Sequence, residues 1–383
     1  MSQVSDVTVI DIGSKSISAY RAERLSDENF AVKTYCEIDY SGYMDGAWLV
    51  SDEIIPSLSK LLEKLERGTG RIKKVYVGLP AQFCHVRTIP VGVTFPKAKR
   101  VSAQDMKNLA DHYDPFREDD AVILHVRPIS FRTDSGERTS SPERLVTGAL
   151  KGELSYVACE KSVHDFLTQA LIRLGIKEVR FIQSEYASAI HLFTKEEREN
   201  GLLLADIGYL STSLQYLSGE GIDEMKTISL GGAFLSAGFS QGLNVPFQVA
   251  QILASRLNLA ARDEGIYTFM YNGHEYSFST AEVNEMAKEC IGYIASYVKK
   301  AIESLRADIP ASTTLYLTGG GLFTVRGAAE CLSKYCGREV RYIQPSVANY
   351  AKPYYSTTAG LIFEAMDMEK ANKFGFIKRF FAK

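Results

Sequence analysis

The stretch Val7–Tyr20, VTVIDIGSKSISAY, decides the fold, because it joins a β-branched run to a tight turn and a second alternating run. The run Val7–Ile10 predicts a buried strand, and the alternation after the turn predicts a second strand that pairs with it. Gly13 lets the backbone approach a bound group, since it has no Cβ. The polar side chains around this glycine are suited to a phosphate group; they are Asp11, Ser14, Lys15 and Ser16.

The same pattern recurs at Gly201–Leu217, GLLLADIGYLSTSLQYL. An apolar run again precedes Asp-Ile-Gly, here Asp206 to Gly208, and hydroxyl groups follow at Ser211 and Thr212. Two such stretches at a long interval indicate an internal duplication, with two hairpin tips that clamp the phosphates of a nucleotide. The alternative is two unrelated strand-to-turn junctions in an α/β protein.

Composition limits the class of protein. A chain of 383 residues should hold two or more domains, and a net charge of −2 does not point to nucleic acid. The six cysteines form no CxxC pair, which argues against zinc and a disulfide scaffold and favours a reducing cytoplasm. The N-terminal residues lack the pattern of a signal peptide, and no apolar window is long enough to span a bilayer.

The elements after the first hairpin have the order of a ribonuclease-H-like half. Apolar residues at helical spacing predict a helix over Ser51–Arg67, and Lys74–Leu79 predicts the strand that follows it. The mixed region Pro80–Tyr156 interrupts this order and predicts a small α+β domain inserted into the first half. In the second half, a long helix is predicted over Ala281–Arg306.

Two glycine turns accompany the second Asp-Ile-Gly stretch. Gly231 and Gly232 open a helical stretch, and Thr318–Gly321, TGGG, follows a predicted strand. Glycines at such positions let the backbone approach a nucleoside or expose helix N–H groups to an anion. The alternative is a close contact between a helix and a strand.

The tail Glu369–Lys383, EKANKFGFIKRFFAK, is basic and aromatic. On a helical wheel its apolar residues lie on one half and Lys378, Arg379 and Lys383 on the other. This pattern predicts a membrane-surface helix, with a C-terminal helix docked on its own domain as the alternative. The predicted membrane contacts are Phe374, Phe376, Ile377, Lys378, Arg379, Phe380 and Phe381.

Together these segments resemble the FtsA family of actin-like division proteins. IDIGSKSISAY is similar to the first phosphate segment of that family, and LYLTGGGLFTVRG to its adenosine segment. ILHVRPISFRTDSGER with SPERLVTGALKGEL resembles the inserted 1C subdomain. SEYASAIHLF and STTAGLI resemble the two connecting helices, and KFGFIKRFF the membrane-targeting helix.

The resemblance implies an α/β, actin-like fold, in which two duplicated ribonuclease-H-like domains face a nucleotide cleft and carry a 1C insertion. The subdomain bounds that it implies are 1–79 and 157–200 for 1A, 80–156 for 1C, 201–238 and 309–366 for 2A, 239–308 for 2B, and 367–383 for a linker and the membrane-targeting helix.

The resemblance also implies ATP with Mg²⁺ between the halves, with Asp11 placed to orient the metal through water. No residue is expected to be catalytic. The nucleotide contacts that it implies are Asp11, Gly13, Ser14, Lys15, Ser16, Asp206, Gly208, Ser211, Thr212, Gly231, Gly232, Gly319, Gly320 and Gly321.

The implied partners are the C-terminal peptide of FtsZ, further copies of the chain in filaments, an anionic membrane and other division proteins. The peptide would contact subdomain 2B through Lys299, Lys300 and Arg306. Such a protein would lie on the cytoplasmic face of the cell membrane at the division site.

The second tip departs from the family pattern. Tyr209 and Leu210 stand where the family has glycines, and Ser213 stands where it has an aspartate. These residues predict weakened nucleotide binding and slow or absent turnover, and the sequence shows no candidate base next to Asp206. The alternatives are a kinase or phosphatase of the same superfamily, and PilM, which has a 1C-type insertion but no basic aromatic tail.

Overall fold

The computed structural model describes residues 6–40, 54–68, 70–261 and 264–373, and of residues 371–373 it describes only the helical backbone. No helix in these ranges is long and apolar enough to cross a membrane. The predicted membrane contacts lie outside the described residues; they are Phe374, Phe376, Ile377, Lys378, Arg379, Phe380 and Phe381.

A five-stranded sheet organises the first half, in the order β3-β2-β1-β4-β9. β1 and β2 form the predicted antiparallel hairpin, and β4 and β9 continue the sheet in parallel. The hydroxyl-rich turn therefore lies at the carboxyl end of β1. The strands are β1 (Val7–Ile12), β2 (Ser16–Ser26), β3 (Asn29–Asp39), β4 (Lys74–Leu79) and β9 (Glu178–Gln183).

A second sheet repeats this topology in the order β12-β11-β10-β15-β16. Asp11 pairs with Ser18 in the first hairpin, and Asp206 pairs with Ser213 in the second, so the two aspartates occupy equivalent positions. The predicted duplication is therefore confirmed. The strands are β10 (Leu202–Ile207), β11 (Thr212–Ser218), β12 (Gly221–Ile228), β15 (Leu315–Thr318) and β16 (Val340–Tyr342).

Amphipathic helices bury their apolar stripes against these sheets. Leu58, Leu61 and Leu65 of α1 are fully buried against the first sheet, as their helical spacing predicts. The helices of the first half are α1 (Ile54–Glu66) and α3 (Lys161–Arg173), and those of the second half are α6 (Ala233–Gly242), α7 (Phe247–Ser255), α8 (Thr280–Glu303) and α9 (Ala328–Cys336).

An antiparallel sheet, in the order β5-β8-β6-β7, is inserted between β4 and α3. Helix α2 covers one face of this sheet, and its start is fixed by a capping box between Ser102 and Asp105. The elements of this inserted domain are β5 (Cys84–Arg100), α2 (Ala103–His112), β6 (Ala121–Thr133), β7 (Arg138–Thr139) and β8 (Val146–Glu160).

The inserted domain also contacts the second half. The Thr88 hydroxyl donates a hydrogen bond to the Asp223 carbonyl at 2.9 Å, and the Ser155 hydroxyl donates to the carbonyl of Ile222. Both carbonyls belong to the edge strand β12. The inserted domain therefore touches both halves of the molecule.

Two connecting helices, α4 (Ser184–Leu192) and α10 (Ser356–Lys373), pack against each other between the sheets. Helix α10 continues to Lys373, beyond residue 366, which is the end of subdomain 2A that the resemblance implies. Further elements are the short α5 (Lys195–Glu199) and the hairpin of β13 (Ile266–Tyr271) and β14 (His274–Ser279). This hairpin turns at Asn272-Gly273, a pair typical of two-residue hairpin turns.

Candidate functional site

The tips of the two Asp-Ile-Gly hairpins face each other across a cleft. Each tip has the same turn: the Gly13 N–H donates to the Ser16 carbonyl at 3.0 Å, and the Gly208 N–H donates to the Ser211 carbonyl at 2.8 Å. The Leu210 N–H also donates to the Ser14 hydroxyl at 3.2 Å, so the tips touch directly. The cavity between them has a volume of about 210 Å³.

Most of the candidate nucleotide contacts line this cleft. They are Asp11, Gly13, Ser14, Lys15, Ser16, Asp206, Gly208, Ser211, Gly319 and Gly320. The cleft also contains residues that the sequence analysis does not single out as nucleotide contacts; these include Gln82, Ser184, Glu185, Tyr354 and Thr357.

The structure places Thr212, Gly231, Gly232 and Gly321 outside the lining of the cleft. Thr212 is fully buried, and its hydroxyl donates to the Leu230 carbonyl at 2.7 Å. The three glycines bring backbone segments together, since a Cβ on Gly231 would lie 2.6 Å from the Gly208 carbonyl oxygen. The Gly232 N–H donates to that same oxygen at 2.9 Å. These glycines therefore support the second tip through backbone contacts outside the lining of the cleft.

Three carboxyl groups meet in the cleft: Glu185 is buried, and Asp11 and Asp206 are half-buried. Burial, followed by the nearby charge of Asp206, raises the pKa of Asp11 to about 7 and that of Glu185 to about 8. Burial also raises the pKa of Asp206 to about 6. The hydroxyls of Thr358 and Thr357, at the start of α10, donate to Asp11 and Asp206 at 3.4 Å each.

These carboxyl groups fit a divalent cation that is held through water. A cation in the cleft would favour their charged forms, which burial disfavours. Among the described residues, no cluster of three His, Cys, Asp or Glu side chains is arranged to bind a metal ion directly. Asp11, Glu185 and Asp206 would therefore orient the waters of Mg²⁺, as magnesium usually keeps several of them.

Glu185 is a carboxyl group beside Asp206 that the sequence analysis does not identify. It is the second residue of α4, where one carboxylate oxygen accepts the Ala81 N–H at 3.1 Å, and its pKa is affected by both cleft aspartates. The segment SEYASAIHLF already placed it at the start of a connecting helix. With a pKa of about 8, Glu185 is mostly protonated at pH 7 and is a poor base there unless a cation in the cleft favours its charged form.

The residues of the second tip that differ from the family pattern form contacts with groups that a phosphate would otherwise meet. The Tyr209 hydroxyl accepts a hydrogen bond from Gln251 at 2.9 Å, and the Lys15 ammonium lies 5.7 Å from the centre of the Tyr209 ring. The Leu210 N–H is bonded to Ser14. An entering phosphate would have to displace these contacts.

The candidate peptide contacts lie in two settings. Lys299 and Lys300 are exposed on α8, and the Lys300 ammonium lies 5.2 Å from the centre of the Tyr297 ring. Arg306 lies beyond the helix and forms ion pairs with Asp223 at 3.3 Å and Glu224 at 3.4 Å. Peptide binding by these residues stays a prediction.

Glu185→Gln should stabilise the protein at pH 8 and leave it unchanged near pH 4.5. The folded state raises the pKa of Glu185 above its ordinary value, so the favourable contribution of the protonated form is lost as pH rises through about 8. The amide removes that loss, and we expect a gain of about 2 kcal/mol at pH 8, about half of what a shift from 4.5 to about 8 gives in full, because solvent that enters the cleft screens the charge. Urea unfolding at both pH values measures it. An equal change in the free energy of unfolding at both pH values would contradict the raised pKa of Glu185. Exposed Glu63→Gln is the control.

Comparisons with known proteins agree with this architecture. No protein-family model matches the chain. It is 21% identical over 363 residues to the cell division protein FtsA of Bacillus subtilis, a match that covers 92% of this chain and 82% of that one. It is 22% identical over 376 residues to FtsA of Escherichia coli K12, covering 93% of this chain and 89% of that one.

Solved structures share the fold. The structure of a PilM–PilN type IV pilus biogenesis complex matches with a TM-score of 0.64 and 17% identity over 95% of this chain and 99% of the other. MreB5 of Spiroplasma citri bound to AMPPNP matches with a TM-score of 0.56 and 11% identity over 97% and 99%. The chain thus has the actin-like fold, and its resemblance to the FtsA proteins of bacterial cell division extends over more than nine tenths of its length.

Proposed function

We propose that this protein is an actin-like membrane adaptor of cell division, which binds ATP with Mg²⁺, forms filaments and tethers FtsZ to the cytoplasmic face of the cell membrane. The observation that carries the proposal is the pair of equivalent aspartate tips across one cleft, in a chain that resembles FtsA along nearly its whole length. Recruitment of other division proteins belongs to the same proposal.

The cleft contains groups suited to nucleotide binding but few groups suited to catalysis. Gly13, Gly208 and Gly320 carry no Cβ that would block the approach of a phosphate, the Lys15 ammonium supplies a positive charge, and Mg²⁺ would supply charge neutralisation there. The Tyr209 ring beside the Lys15 ammonium and the bond from the Leu210 N–H to Ser14 hinder an entering phosphate. We therefore propose a mainly structural role, as in an adaptor, rather than that of a kinase or phosphatase.

Recruitment of FtsZ to vesicles tests the proposal. Fluorescent FtsZ filaments from the same organism should co-sediment with vesicles of phosphatidylglycerol and phosphatidylethanolamine only when this protein and Mg-ATP are present. FtsZ without its C-terminal peptide is the control. If intact FtsZ stays in the supernatant while this protein sediments, FtsZ tethering is wrong and the membrane role remains.

Tyr209→Gly should increase the affinity for Mg-ATP about tenfold, a gain of about 1.4 kcal/mol. The substitution removes the ring beside the Lys15 ammonium and gives the tip the glycine that the family has. Equilibrium dialysis with radiolabelled ATP measures the change. Tyr209→Phe is the matched control, because it keeps the ring and loses only the hydrogen bond with Gln251. Equal affinities for both variants would show that the ring does not hinder binding.

A PilM-like scaffold is the second candidate, since the PilM–PilN complex matches this chain over 95% of its length. Both candidates share the fold, and they differ in their partners. Binding of PilN, the partner named in that complex, with no binding of the FtsZ peptide, would favour the scaffold.

A further inference from the structure

Arg127 lies on β6 of the inserted domain and extends between the two connecting helices. It is 8% exposed, and its Nη2 donates to Glu364 Oε1 of α10 at 3.0 Å. Its Nε donates to the Tyr186 hydroxyl of α4. One buried guanidinium thus contacts both helices.

The surroundings of this ion pair keep it charged. Burial opposes the ionisation of Glu364, but the nearby His191 ring, whose Nε2 lies 3.7 Å from Glu364 Oε2, and the charge of Arg127 outweigh it and lower the pKa of Glu364 to about 2. Burial and the same guanidinium lower the pKa of His125, beside Tyr186, to about 3. Around pH 7 the cluster therefore holds a charged Arg127–Glu364 pair beside a neutral His125.

The helices that Arg127 joins also carry residues of the cleft. Tyr186 directly follows Glu185, and Glu364 lies about two turns after Thr357 and Thr358 on α10. Those threonines donate to the two cleft aspartates. A shift of either helix at Arg127 would therefore displace groups that line the cleft.

The inserted domain also forms hydrogen bonds with the second half. The Glu220 N–H donates to the Pro128 carbonyl at 3.0 Å, next to Arg127 in the sequence, and Thr88 donates to Asp223. A relative movement of the two halves must therefore either carry the inserted domain with it or strain the Arg127 contacts.

We propose that Arg127 is a positioning residue that couples the inserted domain to the nucleotide cleft, so that nucleotide binding rigidifies this domain and a protein bound to it alters the nucleotide affinity. The coupling rests on the proposed nucleotide binding. Linkage makes it reciprocal, since each ligand must change the affinity of the other by the same factor.

The test compares the intact chain with Arg127→Met and with the double variant Arg127→Met/Glu364→Met. The double variant replaces the whole buried pair by apolar groups, which often preserves stability where a single change leaves a charge unpaired. Arg87→Met is the matched control, because Arg87 pairs with Asp119 inside the inserted domain at 2.6 Å. Mg-ATP affinity and hydrogen exchange of β6 and α2 are measured, with thermal unfolding as the check on folding.

We expect both Arg127 variants to lose affinity for Mg-ATP about tenfold, and Arg87→Met to keep it. Mg-ATP should slow exchange in β6 and α2 of the intact chain and of the control, and leave it unchanged in the double variant. Unchanged affinity with nucleotide-dependent protection in a folded double variant would overturn the coupling alone. Failure of the intact chain to bind Mg-ATP would overturn the nucleotide function itself, and the coupling with it.

Discussion

Gly360→Val is expected to lower the free energy of unfolding by about 3 kcal/mol, because the connecting helices touch through their backbones at this glycine. A Cβ on Gly360 would lie 2.5 Å from the Ser188 nitrogen and against the Ala187 carbonyl group, both in the backbone of α4. Neither atom can rotate away. The whole of α10 would have to move, although it buries residues such as Leu361 and Ile362.

Urea unfolding of Gly360→Ala and Gly242→Ala isolates this contact. In a helix the change from glycine to alanine is by itself favourable by about 0.5–1 kcal/mol. The new Cβ of Gly242→Ala in α6 would meet mainly the terminal methyl of Met286, which can rotate. We therefore expect Gly242→Ala to be neutral or stabilising and Gly360→Ala to be destabilising. Equal effects would show that the two helices adjust easily to a wider separation.

The sequence predicts the hairpin tips well because their pattern is local. An apolar run, Asp-Ile-Gly and hydroxyl residues specify the turn within a dozen positions, and the repeat of this pattern specifies its partner. Helix α1 is likewise predicted by the spacing of Leu58, Leu61 and Leu65. Here each strand or helix is encoded by neighbouring residues, and tertiary contacts only select its partner.

Strand β8 shows where local reasoning fails. Gly148 and Gly152 interrupt its apolar residues, so Val146–Glu160 does not read as one long strand. Gly152 is explained by the fold, since a Cβ there would collide with the Ser130 carbonyl oxygen of β6. This reason lies in the neighbouring strand, which is distant in sequence.

The candidate site shows the same limit. Asp11 and Asp206 are found from their motifs, whereas Glu185 enters the cleft only because α4 follows β9 at the carboxyl edge of the sheet. Gly231, Gly232 and Gly321 are among the nucleotide contacts that the resemblance implies, and the fold uses them for contacts between backbones at the second tip. The spacing of glycines does not distinguish support of a loop from contact with a ligand.

The end of α10 determines where the chain should be cut to test the proposed membrane contact of residues 374–383. The Tyr76 hydroxyl donates to Glu369 at 2.6 Å, and the Lys74 ammonium pairs with the same carboxylate at 2.7 Å. Lys370 pairs with Asp27 at 3.3 Å. A truncation that begins at residue 369 would remove these contacts with the first half and destabilise the folded domain. A loss of vesicle binding would then not report on the tail alone. A truncation after Lys373 leaves them intact.

Removal of residues 374–383 should reduce binding to anionic vesicles more than tenfold while the melting temperature stays unchanged. The segment holds four phenylalanines, and burial of one such side chain contributes about 1.5–3 kcal/mol. Each lysine or arginine near an anionic surface adds about 1 kcal/mol. Sedimentation with vesicles of phosphatidylglycerol and phosphatidylethanolamine measures the bound fraction for the intact and the truncated chain.

Two double variants separate the contribution of apolar burial to vesicle binding from the contribution of the positive charges. Phe380→Ser/Phe381→Ser should weaken binding at every salt concentration, because apolar burial is not screened. Lys378→Gln/Arg379→Gln should weaken it mainly at low salt, because the Debye length falls from about 30 Å at 0.01 M to about 8 Å at 0.15 M. Retention of vesicle binding by the truncated chain would place the membrane contact elsewhere, and the proposed adaptor would then lose the segment that distinguishes it from a PilM-like scaffold.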